Sequence, residues 1–227
     1  MNKDKRTDGT CLKLVSLTSV LLVLLTAGVL WAGQEKDGAS AAGFYFSLTP
    51  SFVFPFSVDT TSPGLTPAET RTKWGVGIGG GLGYRFRDFR VEGEVTYGRN
   101  DVKDIRFTGG GGDMTGYYDL WGATINFFYD IPTGFRIRPY VGAGLGAVLF
   151  TAHDITLAGF PQTNGRNTLF AYQFMAGVSY TLSDTWRLLL GYRFVGMSGP
   201  EFETGGITLY GEPVRTHALQ AGVQFYF

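Results

Sequence analysis

Cysteine is nearly absent: the 227 residues contain one, Cys11. A lone thiol excludes an internal disulfide framework and a cysteine-built metal centre. Charge is also scarce, at 17% of residues, against roughly a quarter in ordinary soluble domains. The combination of low charge with plentiful aromatics excludes a disordered chain. Bases and acids balance at 19 each, which excludes a non-specific nucleic-acid binder. Proline stops at 9, and the glycines show no three-residue period, so collagen is excluded. What remains in abundance is glycine (34 residues) and aromatic side chains (19 Phe, 12 Tyr, 4 Trp). Such a composition suits a compact all-β chain.

The N-terminus reads as an export signal. Lys3, Lys5, Arg6 and Lys13 precede an uncharged stretch from Leu14 to Ala32, the layout of a secretory signal peptide. Residues 1–32 are therefore expected to be removed, although the small residues Ala39 and Ala41 also fit a cleavage site as late as 41. A retained transmembrane helix is the alternative, since the stretch is just long enough to span a bilayer. Loss of the segment would take Cys11 with it and leave 15 bases against 17 acids.

From residue 43 onward the hydrophobic period is two, the period of β-strands. Phe44, Phe46, Leu48, Phe52, Phe54 and Phe56 share one parity. Trp74, Val76, Ile78, Leu82, Tyr84 and Phe86 alternate with a run of glycines. Six more segments follow, around 89–97, 121–129, 136–147, 170–182, 186–194 and 219–227. Short turns at Arg87-Asp88, Asp130–Gly134 and Ser183-Asp184 alternate with long polar segments near 57–73, 99–116, 151–167 and 196–213. Alternating short and long connections predict an eight-stranded antiparallel up-and-down transmembrane β-barrel over 43–227, with both chain ends on the short-turn, periplasmic side.

The apolar parity must face outward. An eight-stranded barrel has an interior only wide enough for ordinary side chains, and the aromatic set would not fit there. The opposite parity, rich in glycine with scattered Arg, Glu, Gln and Asn, does fit. Water would not tolerate the resulting apolar exterior, whereas hydrocarbon favours it, because a charge at mid-bilayer on a barrel costs about 2–4 kcal/mol.

The C-terminal run Leu219, Ala221, Val223, Phe225 and Phe227 resembles the signal by which outer-membrane barrels are recognised by their assembly machinery. Arg138–Gly146, Phe170–Tyr180 and Leu190–Phe194 resemble strands of opacity-type outer-membrane barrels, which share their architecture with the OmpA transmembrane domain. The resemblance covers 43–227. It implies an outer-membrane location and a family of adhesins, surface antigens and barrels without assigned activity.

Candidate functional residues follow from parity. Arg85, Arg90, Glu92, Glu94, Arg136, Arg138, Arg187 and Arg193 are predicted to project inward as an ion-pair network, since buried charges need partners. The second reading is an Arg-lined channel for small anions. Trp74, Trp121 and Trp186 are predicted interfacial anchors. His153-Asp154 and His217 are the residues an outer-membrane hydrolase would use, but no accompanying motif supports an enzyme. Gly75, Gly77 and Gly80 match a dinucleotide-binding string, yet lie within a strand, whereas that string needs a strand-to-helix turn. No cofactor or metal is expected. Expected partners are outer-membrane lipid, the barrel-assembly machinery, and host or surface ligands reached through the loops, where Phe107, Phe160 and Phe202 are the aromatic candidates. The reading is a surface-interacting structural barrel.

Overall fold

A computed structural model describes residues 42–61, 67–157, 163–204 and 207–227. The expected signal segment 1–32, its late cleavage boundary at 41, Cys11 and Phe160 lie outside the described residues, as does the side chain of Phe202.

The described chain is all strand and turn. The elements are β1 (Gly43–Val53), β2 (Ser57–Thr61), β3 (Ala68–Phe86), β4 (Phe89–Phe107), β5 (Gly110–Asp130) and β6 (Ile137–Leu157). They continue with β7 (Thr163–Thr181), β8 (Trp186–Met197), β9 (Glu201–Thr204), β10 (Ile207–Gly211) and β11 (Val214–Tyr226). β3 through β8 pair in sequence order, β8 pairs with β11, and β1 closes the ring by pairing with both β11 and β3. All pairings are antiparallel, so β1, β3–β8 and β11 form the eight-stranded barrel that the alternation predicts. Closure leaves no unpaired edge within the ring, which hydrocarbon requires.

Several strands run far beyond the predicted segments, and here the expectation of long polar loops is corrected. β4 and β5 meet through a hairpin at Thr108-Gly109, where Gly109 takes the left-handed conformation (φ 94°). β6 and β7 likewise extend through most of the segment expected to be loop. The segments at 57–61 and 201–211 contain β2, β9 and β10. Above the level where β1, β8 and β11 stop, these short strands replace them in the wall. β2 pairs with β3 on one side and with β10 on the other, and β10 pairs with β9. At the remaining junction, β9 to β7, Asn167 Nδ2 donates to the Glu201 carbonyl at 2.7 Å and its Oδ1 accepts from the Glu201 N–H at 3.2 Å.

The two storeys have opposite polarity. In the barrel proper, Val76, Ile125, Phe127, Leu145, Phe174 and Leu190 point outward and are exposed, while charged and amide side chains, with a small apolar cluster of Phe128, Tyr140, Met175 and Leu189, fill the lumen. In the extension, Val58, Val102, Tyr118, Phe150, Ile155, Leu169, Met197 and Val214 point inward and form an apolar core. Phe56 belongs to this core, which corrects its expected outward position. The chain leaves the β1 ladder at Val53 and bends through Pro55, so the alternation is broken before Phe56. Thr72 then fixes the bend, since its N–H donates to the Phe56 carbonyl and its Oγ1 accepts from the Phe56 N–H, each at 2.9 Å.

Candidate functional site

The lumen at the short-turn end is organised around Asp130. Its carboxylate takes Arg90 Nη2 at 2.8 Å and Arg90 Nε at 3.0 Å. Arg187 Nη1 stands 3.6 Å away and Arg85 Nη2 4.0 Å away. Arg90 is 2% exposed; its guanidinium lies 4.4 Å over the Phe128 ring and 5.4 Å over Tyr140. Aromatic faces are favourable neighbours for a desolvated guanidinium. Arg187 lies 4.8 Å over Tyr226, whose hydroxyl donates to Gln224 Oε1 at 3.0 Å.

A second layer lies above. Arg193 Nη2 donates to Glu94 Oε1 at 2.7 Å, Nε to Gln220 Oε1 at 2.9 Å and Nη1 to Gln173 Oε1 at 3.4 Å. Glu94 Oε2 accepts from Asn126 Nδ2 at 2.8 Å, and Asn126 Oδ1 accepts from Gln173 Nε2 at 2.6 Å. Thr49 Oγ1 also donates to Glu94 Oε1, at 3.3 Å. The network thus ties together β1, β4, β5, β7, β8 and β11. Glu92 is buried beside Glu94 and, with Ser47, packs over Gly81. Interior glycines make the room these side chains need: a Cβ at Gly83 would overlap the Tyr45 ring, and one at Gly191 the Tyr140 hydroxyl.

A cavity of about 100 Å³ sits on this layer, floored by Glu94, Gln173, Arg193 and Gln220 and walled above by Phe56, Leu120, Val148 and Met197. A second of about 10 Å³ lies beneath, against Arg90, Glu92, Tyr140 and Arg193. The upper cavity is roomy and polar enough on its floor to hold ordered water.

The structure brings Arg85, Arg90, Glu92, Glu94, Arg187 and Arg193 into the lumen. Arg138 lies at the rim, 3.8 Å from Asp88. Arg136 is exposed in the connection before β6, beyond the end of the lumen, where its carbonyl accepts the Thr181 N–H at 2.8 Å. Asp130, the acid that answers three arginines, was absent from the sequence-derived set. It reads as the first residue of a turn, yet it continues the inward parity of Asn126 and Phe128, and that was the available signal. Its presence corrects the apparent excess of bases over acids in the lumen.

Outward, Trp74 stacks on Phe52 at 5.0 Å, Trp121 packs on Tyr97 at 4.8 Å and Trp186 on Phe225 at 5.0 Å. From Asp130 back to Trp121, β5 climbs about 23 Å, at about 3.3 Å per residue and a tilt of about 40°. That matches the apolar band about 25 Å tall that such barrels expose, with Trp186 at one margin and Trp121 near the other. Leu219, Ala221, Val223 and Phe225 line the outward face of β11, beside the β1 junction that joins the chain ends, and Phe227 follows directly. The two histidines are far apart in the register. His153 Nε2 stands 3.4 Å from Asp119 Oδ2, and its ring stacks under Tyr117 at 4.8 Å. His217 Nδ1 meets the Tyr192 hydroxyl.

Residues 19–227 match the family described as outer membrane protein beta-barrel domain. The chain belongs to that family. The closed ring with its uncharged exterior band is therefore an outer-membrane barrel, and the protein is placed in a bacterial outer membrane. An uncharacterized protein of Brucella abortus (strain 2308) is 32% identical over 152 residues, covering 56% of this chain and 53% of its own length. A protein of Brucella suis biovar 1 (strain 1330) gives the same figures. The chain thus spans about half the length of the curated relatives it matches. Among solved structures, the outer membrane protein OprG from Pseudomonas aeruginosa superposes with a TM-score of 0.64 at 17% identity, covering 85% of this chain and 99% of its own. Neisserial surface protein A gives a TM-score of 0.51 at 23% identity, covering 82% and 99%. At these identities the likeness is one of fold.

The extension carries charge on its outside. Arg71 pairs with Asp104 in a fork, Nε to Oδ1 and Nη2 to Oδ2, both at 2.6 Å. The Arg71 hydrogen bond holds the Asp104 carboxyl below its ordinary value. Asp59 is shifted the other way, raised by partial burial and by the neighbouring Glu69 and Glu212 carboxylates.

Proposed function

We propose that this outer-membrane barrel is a non-conducting support that carries an ordered β-structured extension to the cell surface for interaction with host or surface ligands. The extended end faces the outside and both chain ends face the periplasm, as expected when short turns are periplasmic and long connections extracellular. The observation that carries the reading is the apolar core of the extension. Ten-residue stretches of strand rising out of a membrane would fray in water unless a core held them together, and Phe150, Val102, Leu169 and Met197 are that core. A surface built this way presents fixed side chains to a partner, which lowers the ordering cost of binding.

The channel reading receives less support. Its arginines are held by Asp130 and Glu94, and apolar side chains fill the lumen above them. In planar bilayers the folded barrel is expected to show no discrete conductance; steady single-channel steps would overturn the reading. Replacing β2, β9–β10 and the upper parts of β3–β7 by short turns should abolish binding to target cells while leaving a heat-modifiable barrel. Undiminished binding by the trimmed barrel would place the interaction elsewhere. The β11 signal is part of the same proposal: Phe227→Ala should lower the amount of barrel inserted in cells by the assembly machinery.

A further inference from the structure

An ionisable side chain on the lipid-facing wall of a membrane protein calls for a function and a partner, and His217 is such a residue. It is exposed on the outward face of β11, beside Phe194 at 5.3 Å. From Tyr226 back to His217, β11 climbs about 23 Å by the same rise and tilt as above, so the imidazole reaches the upper margin of the apolar band. Tyr192 of the neighbouring β8 meets Nδ1, which leaves Nε2 as the ring nitrogen facing outward; in the tautomer in which the hydroxyl donates to Nδ1, Nε2–H is a free donor. Arg215 lies two residues further up on the same face, exposed, opposite Gly196. Gly196 leaves room for the Tyr172 ring, which lies over it, and no ion pair to Arg215 is found among the described residues.

The surroundings hold little negative charge. The outward residues of β8 are Trp186, Leu188, Leu190, Tyr192 and Phe194, and those of β1 are Phe44, Phe46, Leu48 and Phe52. Among the described residues above this margin are the acids Glu212, three residues from Arg215, and Asp59, whose carbonyl accepts the Glu212 N–H at 2.8 Å. On the β4–β6 side the arrangement differs, because Arg99 lies over Tyr117 at 3.5 Å next to Asp119, and Asp119 also answers His153. That rim neutralises itself; the β8–β11 rim does not.

We propose that Arg215 and His217, with Tyr192 as the positioning residue, form a docking point for a phosphate on a glycolipid of the outer leaflet. The inference rests on the orientation proposed above, which puts this margin in the outer leaflet. The phosphate lies where the apolar band gives way to headgroups. There it accepts from the Arg215 guanidinium and from His217 Nε2–H, charge-assisted bonds in a poorly hydrated setting, while the acyl chains pack along Leu219, Phe194 and Phe52.

The test places the barrel, freed of its signal segment, in phosphatidylcholine nanodiscs doped with diphosphoryl lipid A or with its dephosphorylated form, and reads retained lipid by native mass spectrometry. The wild type should retain diphosphoryl lipid A about tenfold better than an Arg215→Ala/His217→Gln double variant, with Tyr192→Phe losing about twofold. Arg215→Lys should keep most of the retention, and Arg99→Ala on the β4–β6 side should leave it unchanged. Heat-modifiable gel mobility establishes that each variant is folded. Equal retention by wild type and double variant overturns the proposal, as does equal retention of the dephosphorylated lipid. The nanodisc offers lipid A on both faces, so this result is independent of orientation. A tag inserted at Gly109 that is inaccessible on intact cells would overturn the orientation alone.

Discussion

The barrel and its extension are built from the same strands, yet each is the other turned inside out. Between Trp186 and Trp121 the outside is Val, Leu, Ile and Phe and the inside is Arg, Asp, Glu and Gln. Above Trp121 the inside is Phe150, Val102 and Leu169 and the outside is Arg71, Lys103, Asp104 and Arg106. β3 through β7 are continuous strands across the two regimes, with register shifts in their upper ladders. The exterior solvent decides: hydrocarbon demands an apolar coat and leaves the lumen to polar groups, whereas water demands the reverse. A lumen filled with charge must then pair its ions internally, and Asp130 and Glu94 do so for the arginines around them.

The sharpest way to break the comparison is to remove the centre of each regime. Asp130→Ala leaves Arg85, Arg90 and Arg187 facing one another in a desolvated space, and breaking a buried pair in this way costs about 3–5 kcal/mol. Asp104→Ala removes the counterpart in the extension, where water screens Arg71 and an exposed pair contributes little to stability. Urea unfolding in lipid vesicles, followed by tryptophan fluorescence, should separate the two variants clearly. Equal losses would mean that the two regimes do not differ as described.

Phe150→Ala tests the opposite dependence. Truncating a fully buried Phe typically costs about 3–5 kcal/mol, and here the loss should be local. Hydrogen exchange should accelerate in β2, β9, β10 and the upper parts of β6 and β7, while the lower barrel stays protected and heat-modifiable. Uniform acceleration would show a single cooperative unit instead. On the outside, Leu145→Arg near the middle of the band should cost about 2–4 kcal/mol, whereas Thr168→Arg in the extension should fall within about 0.5 kcal/mol of wild type.

The same inversion explains what the sequence could tell. Outward alternation of Trp74, Val76, Ile78, Leu82 and Tyr84 made the strands and their parity legible, because lipid imposes one sign of pattern. The extension keeps the alternation with the sign reversed, as in Val102 and Asn100 against Arg99 and Asp101, so segments such as 99–116 read as polar loops. Asp130 was hidden for a related reason: an acid at a strand end looks like the start of a turn until its parity is followed inward. His153 was read with its chain neighbour Asp154, but its partner Asp119 lies across the sheet, and only the register of β5 against β6 brings the two together.

The smallest expected effect concerns pH, and it belongs to the extension alone. The Asp104 carboxyl is held below its ordinary value by Arg71, so its contribution is complete above the unfolded value, about 3.9, and is lost as pH falls through the lower folded value. Asp59 is raised by partial burial, Glu69 and Glu212; the folded extension then binds this proton more readily than the unfolded one and gains stability as pH falls towards about 4. Acidification from neutrality should therefore first slow hydrogen exchange in β2 and β10 and then, below about pH 4, hasten it in β3 and β4. Asp59→Asn should erase the first change and Asp104→Asn the second. If both changes survive the substitutions, other carboxylates govern the extension, and the charged exterior is merely solvated rather than coupled to its fold.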